Sequence, residues 1–227
     1  MENLIATSLL LGLVLGVVHA CDPDHLVAVG TLTAESKNAR QASVLGMVWG
    51  VGHTIALASI GTVVLNMKWR VPDQFSFAME ILVGLMIVSL GVNLLWASLR
   101  KFTIHSHQHS HDGSTHAHLH IHGADTVTHQ HHGGRSKIKT FGIGLVHGLA
   151  GSAALSLAVM STMPSNMLGV VYLVVFGIGS TGGMLVMSTL LSLPFLYVTQ
   201  AWQHKMKCGA GFLAIVFGTY FTWSLLS

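Results

Sequence analysis

The strongest constraint on this chain is a set of apolar runs that carry almost no charge. They fall near Leu4–Thr33, Ala42–Met67, Phe77–Leu99, Thr140–Met160, Met167–Leu193 and Gly209–Leu226. A helix rises ~1.5 Å per residue, so roughly 18–20 apolar residues cross a ~30 Å hydrocarbon core. Every run reaches that length, and the first is too long for one straight crossing. Composition points the same way: 51% of residues are hydrophobic and 8% charged, where a soluble domain carries ~25% charged. The expected fold is an all-α polytopic membrane protein with six transmembrane helices. A pI near 9.0 does not mark a nucleic-acid binder, because Lys and Arg lie between the apolar runs, where they set topology. Cys21 and Cys208 form no C-x-x-C pair, which argues against a disulfide framework or a thiol–disulfide carrier. Met1-Glu2-Asn3 lacks the basic start of a secretory signal.

The two halves of the chain repeat one another. Gly16-Val17-Val18-His19 returns as Gly144-Leu145-Val146-His147, and Gly50-Val51-Gly52-His53-Thr54 returns as Gly177-Ile178-Gly179-Ser180-Thr181. Gly84, Gly91 and Trp96 return as Gly211, Gly218 and Trp223. The offset is 128 from Gly16 to Gly144 and 127 from Gly50 to Gly177. Small residues recur in any membrane protein, but a constant spacing asks for more. Three spans per copy is an odd number, so the second copy is expected upside down. Many secondary transporters are built so, with their site at the repeat interface near the midplane. The expected organisation is a first three-helix repeat over 1–99, a His-rich loop over 100–139 and a second, inverted repeat over 140–227.

Orientation follows from the basic residues. Lys37, Arg40, Arg100, Lys101, Arg135, Lys137, Lys139, Lys205 and Lys207 fall on one side of the expected spans, and only Lys68 and Arg70 on the other. The positive-inside rule makes the first side cytoplasmic and puts both termini outside, in what is expected to be a bacterial inner membrane. The cytoplasmic side then holds a tract of eleven imidazoles: His105, His107, His109, His111, His116, His118, His120, His122, His129, His131 and His132. Their Ser, Gly, Thr and Gln neighbours offer no apolar face, so the tract is expected to be disordered. Neutral imidazole ligates Zn, Ni and Co, which makes these residues metal binders outside the membrane.

A second polar cluster sits where the bilayer tolerates it least. Asp22 and Asp24 lie between His19 and His25 in the middle of the first run. One ionised Asp at the bilayer centre costs ~2.5–3.5 kcal/mol on insertion scales. A divalent cation held by carboxylates and imidazoles offsets that cost. On a continuous helix Asp22 shares a face with His19 and His25 at i,i±3, while Asp24 points away. Pro23 removes a backbone N–H, so a break there is expected to free the His19 carbonyl and to swing Asp24 inward. His53, inside Gly52-His53-Thr54, completes the expected ligand set of His19, Asp22, Asp24, His25 and His53. Cys21, His147, Ser180 and Thr181 are further ligand or pathway candidates. Glu80 is expected at the membrane interface. The Met residues do not align with these motifs and read as packing.

His19-Ala20-Cys21-Asp22-Pro23-Asp24-His25 resembles the H-x4-D-H hallmark of the nickel/cobalt transporters, the NiCoT and NicO families, through His19, Asp24 and His25. Val51-Gly52-His53-Thr54 is similar to their Gly-His-Ser/Thr element. Gly148-Leu149-Ala150-Gly151-Ser152 and the short form look most like the urease-accessory, UreH-type branch, and the His-rich tract is similar to that of NicO-type efflux members. No counterpart of the longer Phe-Asp-Thr-Ala-Thr-Glu element occurs. The resemblance implies permeation of Ni²⁺ or Co²⁺, with no permanently bound cofactor and no enzymatic activity. The expected partners are the metal ion, the lipid bilayer and a cytoplasmic metallochaperone or urease accessory proteins. No G-x-x-x-x-G-K-[ST] is present, so the chain is expected to work as a secondary transporter. The alternatives are a membrane store or delivery protein for a metalloenzyme such as urease, and a Zn²⁺ transporter.

Overall fold

The structure, a computed structural model, describes residues 2–67, 72–100, 105–111, 114–120, 133–150 and 163–227. Among them, seven helices and one hairpin follow in order: α1 (Glu2–His19), α2 (Pro23–Thr33), α3 (Ala39–Met67), α4 (Asp73–Arg100), β1 (His105–His111), β2 (Ser114–His120), α5 (Gly133–Gly148), α6 (Asn166–Tyr197) and α7 (Gln200–Leu226).

The first apolar run breaks where Pro23 stands. Asp22 takes an extended conformation with φ −59° and ψ 143°, and Pro23 opens α2 at a position whose N–H a helix does not use. Ile5–His19 and Pro23–Thr33 are bent by 56°. The His19 carbonyl is not freed, contrary to expectation. It accepts from the Asp22 N–H at 3.1 Å, in a turn that closes α1.

The expectation of six transmembrane helices fails. Among the described residues four helices are long and apolar enough to cross a membrane (α3, α4, α6 and α7), and the bent α1–α2 pair makes at most a fifth. The described part of the run Thr140–Met160 does not supply another. Its helix α5 has 16 residues, about 24 Å at ~1.5 Å each, and begins on the polar stretch Gly133–Lys137. It then closes in a turn, with Leu149 donating to Val146 and Ala150 to His147. Residues 151–162 lie outside the described residues. The protein is also not all-α. The His-rich tract, expected to be disordered, contains β1 and β2 paired antiparallel, with His105 opposite His120, His107 opposite His118 and His109 opposite His116. Alternation of His with Ser, Gln, Ala or Leu has the two-residue period of a strand. His122, His129, His131 and His132 lie outside the described residues.

The helices approach closely through small residues, as membrane helices do in the absence of a hydrophobic drive between them. At the α1–α6 crossing a Cβ on Gly16 would run into the Phe176 carbonyl, and at the α5–α3 crossing a Cβ on Gly144 would run into the Trp49 carbonyl. Gly179 lies on the Leu13 carbonyl and Gly52 on that of Phe141; Gly84 faces the Gly218 carbonyl and Gly91 that of Gly211. Each contact has its counterpart at an offset of 127 or 128. Thr54 and Thr181, themselves counterparts, meet with their Oγ1 atoms 3.2 Å apart. Reciprocal contacts of this kind belong to a local two-fold axis, here running between α3 and α6. Trp49, Ile87, Tyr172, Phe176 and Met184 are fully buried around these crossings.

Candidate metal centre

The break in the first run gathers its polar residues between the end of α1 and the start of α2. His19 closes α1, Asp24 and His25 open α2, and His53 lies near the middle of α3. His147 stands at the penultimate position of α5. The four rings form one group. Their centroids are 4.2 Å apart for His25–His147, 4.5 Å for His19–His25, and 5.1 Å for both His19–His53 and His25–His53. His25, His53 and His147 have no exposed surface, and His19 and Asp24 are buried beside them.

Hydrogen bonds assign the ring nitrogens. Asp24 Oδ1 accepts from the His25 backbone N–H and from His25 Nδ1–H, each at 3.0 Å, and Asp24 Oδ2 accepts from His147 Nε2–H at 2.9 Å. A carboxylate that only accepts fixes both tautomers, because a neutral imidazole carries one proton. His25 Nε2 and His147 Nδ1 are therefore lone pairs. Neither has a hydrogen-bond partner among the described residues, and the same is true of His53 Nδ1. Leaving a buried polar atom unpaired costs ~1–3 kcal/mol, so three such nitrogens on neighbouring rings call for a ligand that takes lone pairs.

A transition-metal ion is such a ligand. His19, His25 and His53 each offer an atom such that all lie within 4.8 Å of one another, and so do Asp24, His25 and His147. His25 belongs to both groups. His53 Nε2–H donates to His19 Nε2 at 3.1 Å, a direction set by His19 Nδ1–H donating to Asp22, and this leaves His53 Nδ1 as that ring's lone pair. Asp24 behind His25 and His147 makes the carboxylate–imidazole pairing that orients metal-binding rings and raises their basicity.

The expected ligands divide. His19, Asp24, His25 and His53 come together, and His147 joins them from 123 residues away. Asp22 does not enter the group. Its side chain keeps 40% of its surface exposed and accepts from His19 Nδ1–H at 2.8 Å, because the bend turns Asp24 inward in its place. Cys21 is exposed and donates to the Val17 carbonyl at 3.6 Å. Ser180 is buried against Gly16 at the α1–α6 crossing, and Thr181 bonds to Thr54; neither is hydrogen-bonded to the imidazoles. His105, His107, His109, His111, His116, His118 and His120 stand on the hairpin, apart in sequence from this group.

Two aromatic residues belong to the site without a motif to mark them. The Trp49 ring lies 5.2 Å from His25 and 5.3 Å from His147, and Phe176 lies 5.5 Å from His19. The repeat carries the signal that could have found them: Trp49 and Phe176 are counterparts, and so are the histidines His147 and His19 that they face. Glu80 lines a cavity of about 290 Å³ that also takes in Asp22 and Asp24.

The chain is similar to the urease accessory protein UreH of Bacillus sp. (strain TB-90), with 36% identity over 219 residues, 96% of this chain and 91% of the relative. No family model matches the sequence. No solved structure matches it either.

Proposed function

This chain belongs to the family of the urease accessory protein UreH, and on that premise we propose that it carries Ni²⁺, or Co²⁺, across the membrane through the mid-depth imidazole group. The observation that carries the reading is the gathering of His19, His25, His53 and His147 into one group, His25 and His147 bonded to Asp24, with three buried ring nitrogens unpartnered. Imidazoles with a carboxylate suit borderline divalent ions, though affinity alone does not separate Ni²⁺ from Cu²⁺ or Zn²⁺. The urease-accessory relative and the H-x4-D-H resemblance both put nickel first. The ion exchanges water for imidazole at the break in the first run, where irregular backbone lines a polar site at membrane depth. In this reading the His-rich hairpin faces the cytoplasm, on the side where most Lys and Arg lie.

Flux in proteoliposomes tests it. With a trapped indicator, wild-type protein is expected to pass Ni²⁺ and Co²⁺ faster than Zn²⁺. Folded, inserted protein that passes none of the three overturns the reading. The second reading, a membrane store or delivery protein, draws on the hairpin. Deleting residues 105–120 then abolishes function, whereas a transporter lacking them keeps its flux.

The two aspartates separate in the same protein. Asp24→Asn reverses one of the carboxylate's two accepting oxygens and is expected to weaken Ni²⁺ binding ~10–100-fold. Asp22→Asn, at a half-exposed position screened by solvent, is expected to weaken it about threefold or less. Equilibrium dialysis of purified protein in detergent reads both, and equal losses would show that the bend does not select Asp24.

A further inference from the structure

We propose that Glu80 receives the divalent cation in the cavity leading to the buried imidazoles, so that the ion reaches Asp24 by passing from one carboxylate to the next. This rests on the reading of the mid-depth group as a metal site. Glu80 sits seven residues into α4, about 10 Å along the helix from Asp73 at ~1.5 Å per residue, on a helix long and apolar enough to cross the membrane. An ionisable residue there faces a cavity or a partner in preference to lipid. Glu80 faces the cavity, and its carboxylate has no hydrogen bond or ion pair among the described residues.

The cavity joins Glu80 to the site. Val83, Phe221 and Leu225 wall it, and its charged lining among the described residues is Glu80, Asp22 and Asp24, with no cation among them. Carboxylates within apolar walls attract a cation more strongly than the same charges in open water. Asp24 belongs to both places. It lines the cavity, and it holds His25 and His147, whose other nitrogens are buried without partners. Those nitrogens are what point to an ion beyond the carboxylates. At ~30 Å³ per water, the cavity of about 290 Å³ has room for roughly ten, enough for an ion that still keeps its first shell. Dehydration then falls to the imidazoles.

Ni²⁺ association with the full-length protein in detergent tests this, followed by stopped-flow quenching of tryptophan fluorescence through Trp49, whose ring stands beside His25 and His147. Glu80→Gln is expected to slow association about tenfold and to leave dissociation unchanged. Glu80→Asp is expected to recover most of the rate, and added salt to slow the wild type more than Glu80→Gln. An unchanged association rate in Glu80→Gln overturns the proposal. So does a Glu80→Asp protein as slow as Glu80→Gln, since that marks a packing role. Wild-type protein that binds Ni²⁺ without carrying it sinks the transport reading and leaves the role of Glu80 standing.

Discussion

Replacing His25 with alanine is expected to lower Ni²⁺ affinity and Ni²⁺ flux by about 100-fold or more. His25 is the residue common to both ligand groups. Its Nε2 is one of the three unpartnered nitrogens, and its ring lies within 5.2 Å of His19, His53, His147 and Trp49. Asp24 survives the change with the residue 25 backbone N–H and His147 still donating to it, so the carboxylate is not left bare. The emptied space of a fully buried ring also costs stability. His25→Gln, which fills more of that space without the imidazole, separates lost ligation from lost packing. Flux in proteoliposomes and binding by titration calorimetry read both variants. Wild-type flux from a correctly inserted His25→Ala protein would remove the imidazole group from the pathway.

Gly144→Val is expected to abolish the site without touching a ligand. A Cβ at Gly144 would run into the Trp49 carbonyl, and backbone cannot step aside as a flexible side chain can. Three residues later α5 carries His147, whose bond to Asp24 depends on how closely α5 lies against α3. Overpacking costs ~1–3 kcal/mol, and occasionally more. Either α5 moves away and His147 leaves Asp24, or the pair of helices separates. The expected result is a lowered melting temperature in detergent together with lost Ni²⁺ binding. Gly142→Val, at a position with open space in place of a neighbouring helix, serves as the control and is expected to behave as wild type. A stable Gly144→Val protein with full binding would show that the close approach is not what holds the group together.

Much of this protein is decided by residues acting on their own surroundings. Low charge and long apolar runs make a membrane protein, because charge cannot be spared from a water-facing surface and apolar helices cannot be hidden in a fold this small. Pro23 breaks the first run through the N–H it lacks. His19, Asp24 and His25 are set within seven residues of one apolar run, and His53 stands near the middle of the next one. The amino-acid sequence by itself determines these features, since each depends only on residue type and local spacing.

Tertiary structure decided the rest. The two aspartates flank one proline and look alike in sequence, yet the 56° bend turns Asp24 to His25 and His147 and leaves Asp22 half exposed. His147 enters through a crossing between α5 and α3 that no local pattern displays. Glu80 faces a cavity because α7 and the break in the first run leave space beside it. The number of crossings was overstated because hydropathy reports what a segment tolerates, and α5 ends in a turn inside an apolar run. The pairing of β1 with β2 was missed because a disordered tract and a polar strand share the same composition. Which lone pairs end without a donor depends on helices meeting at angles set by their glycines, and that is a property of the packed molecule.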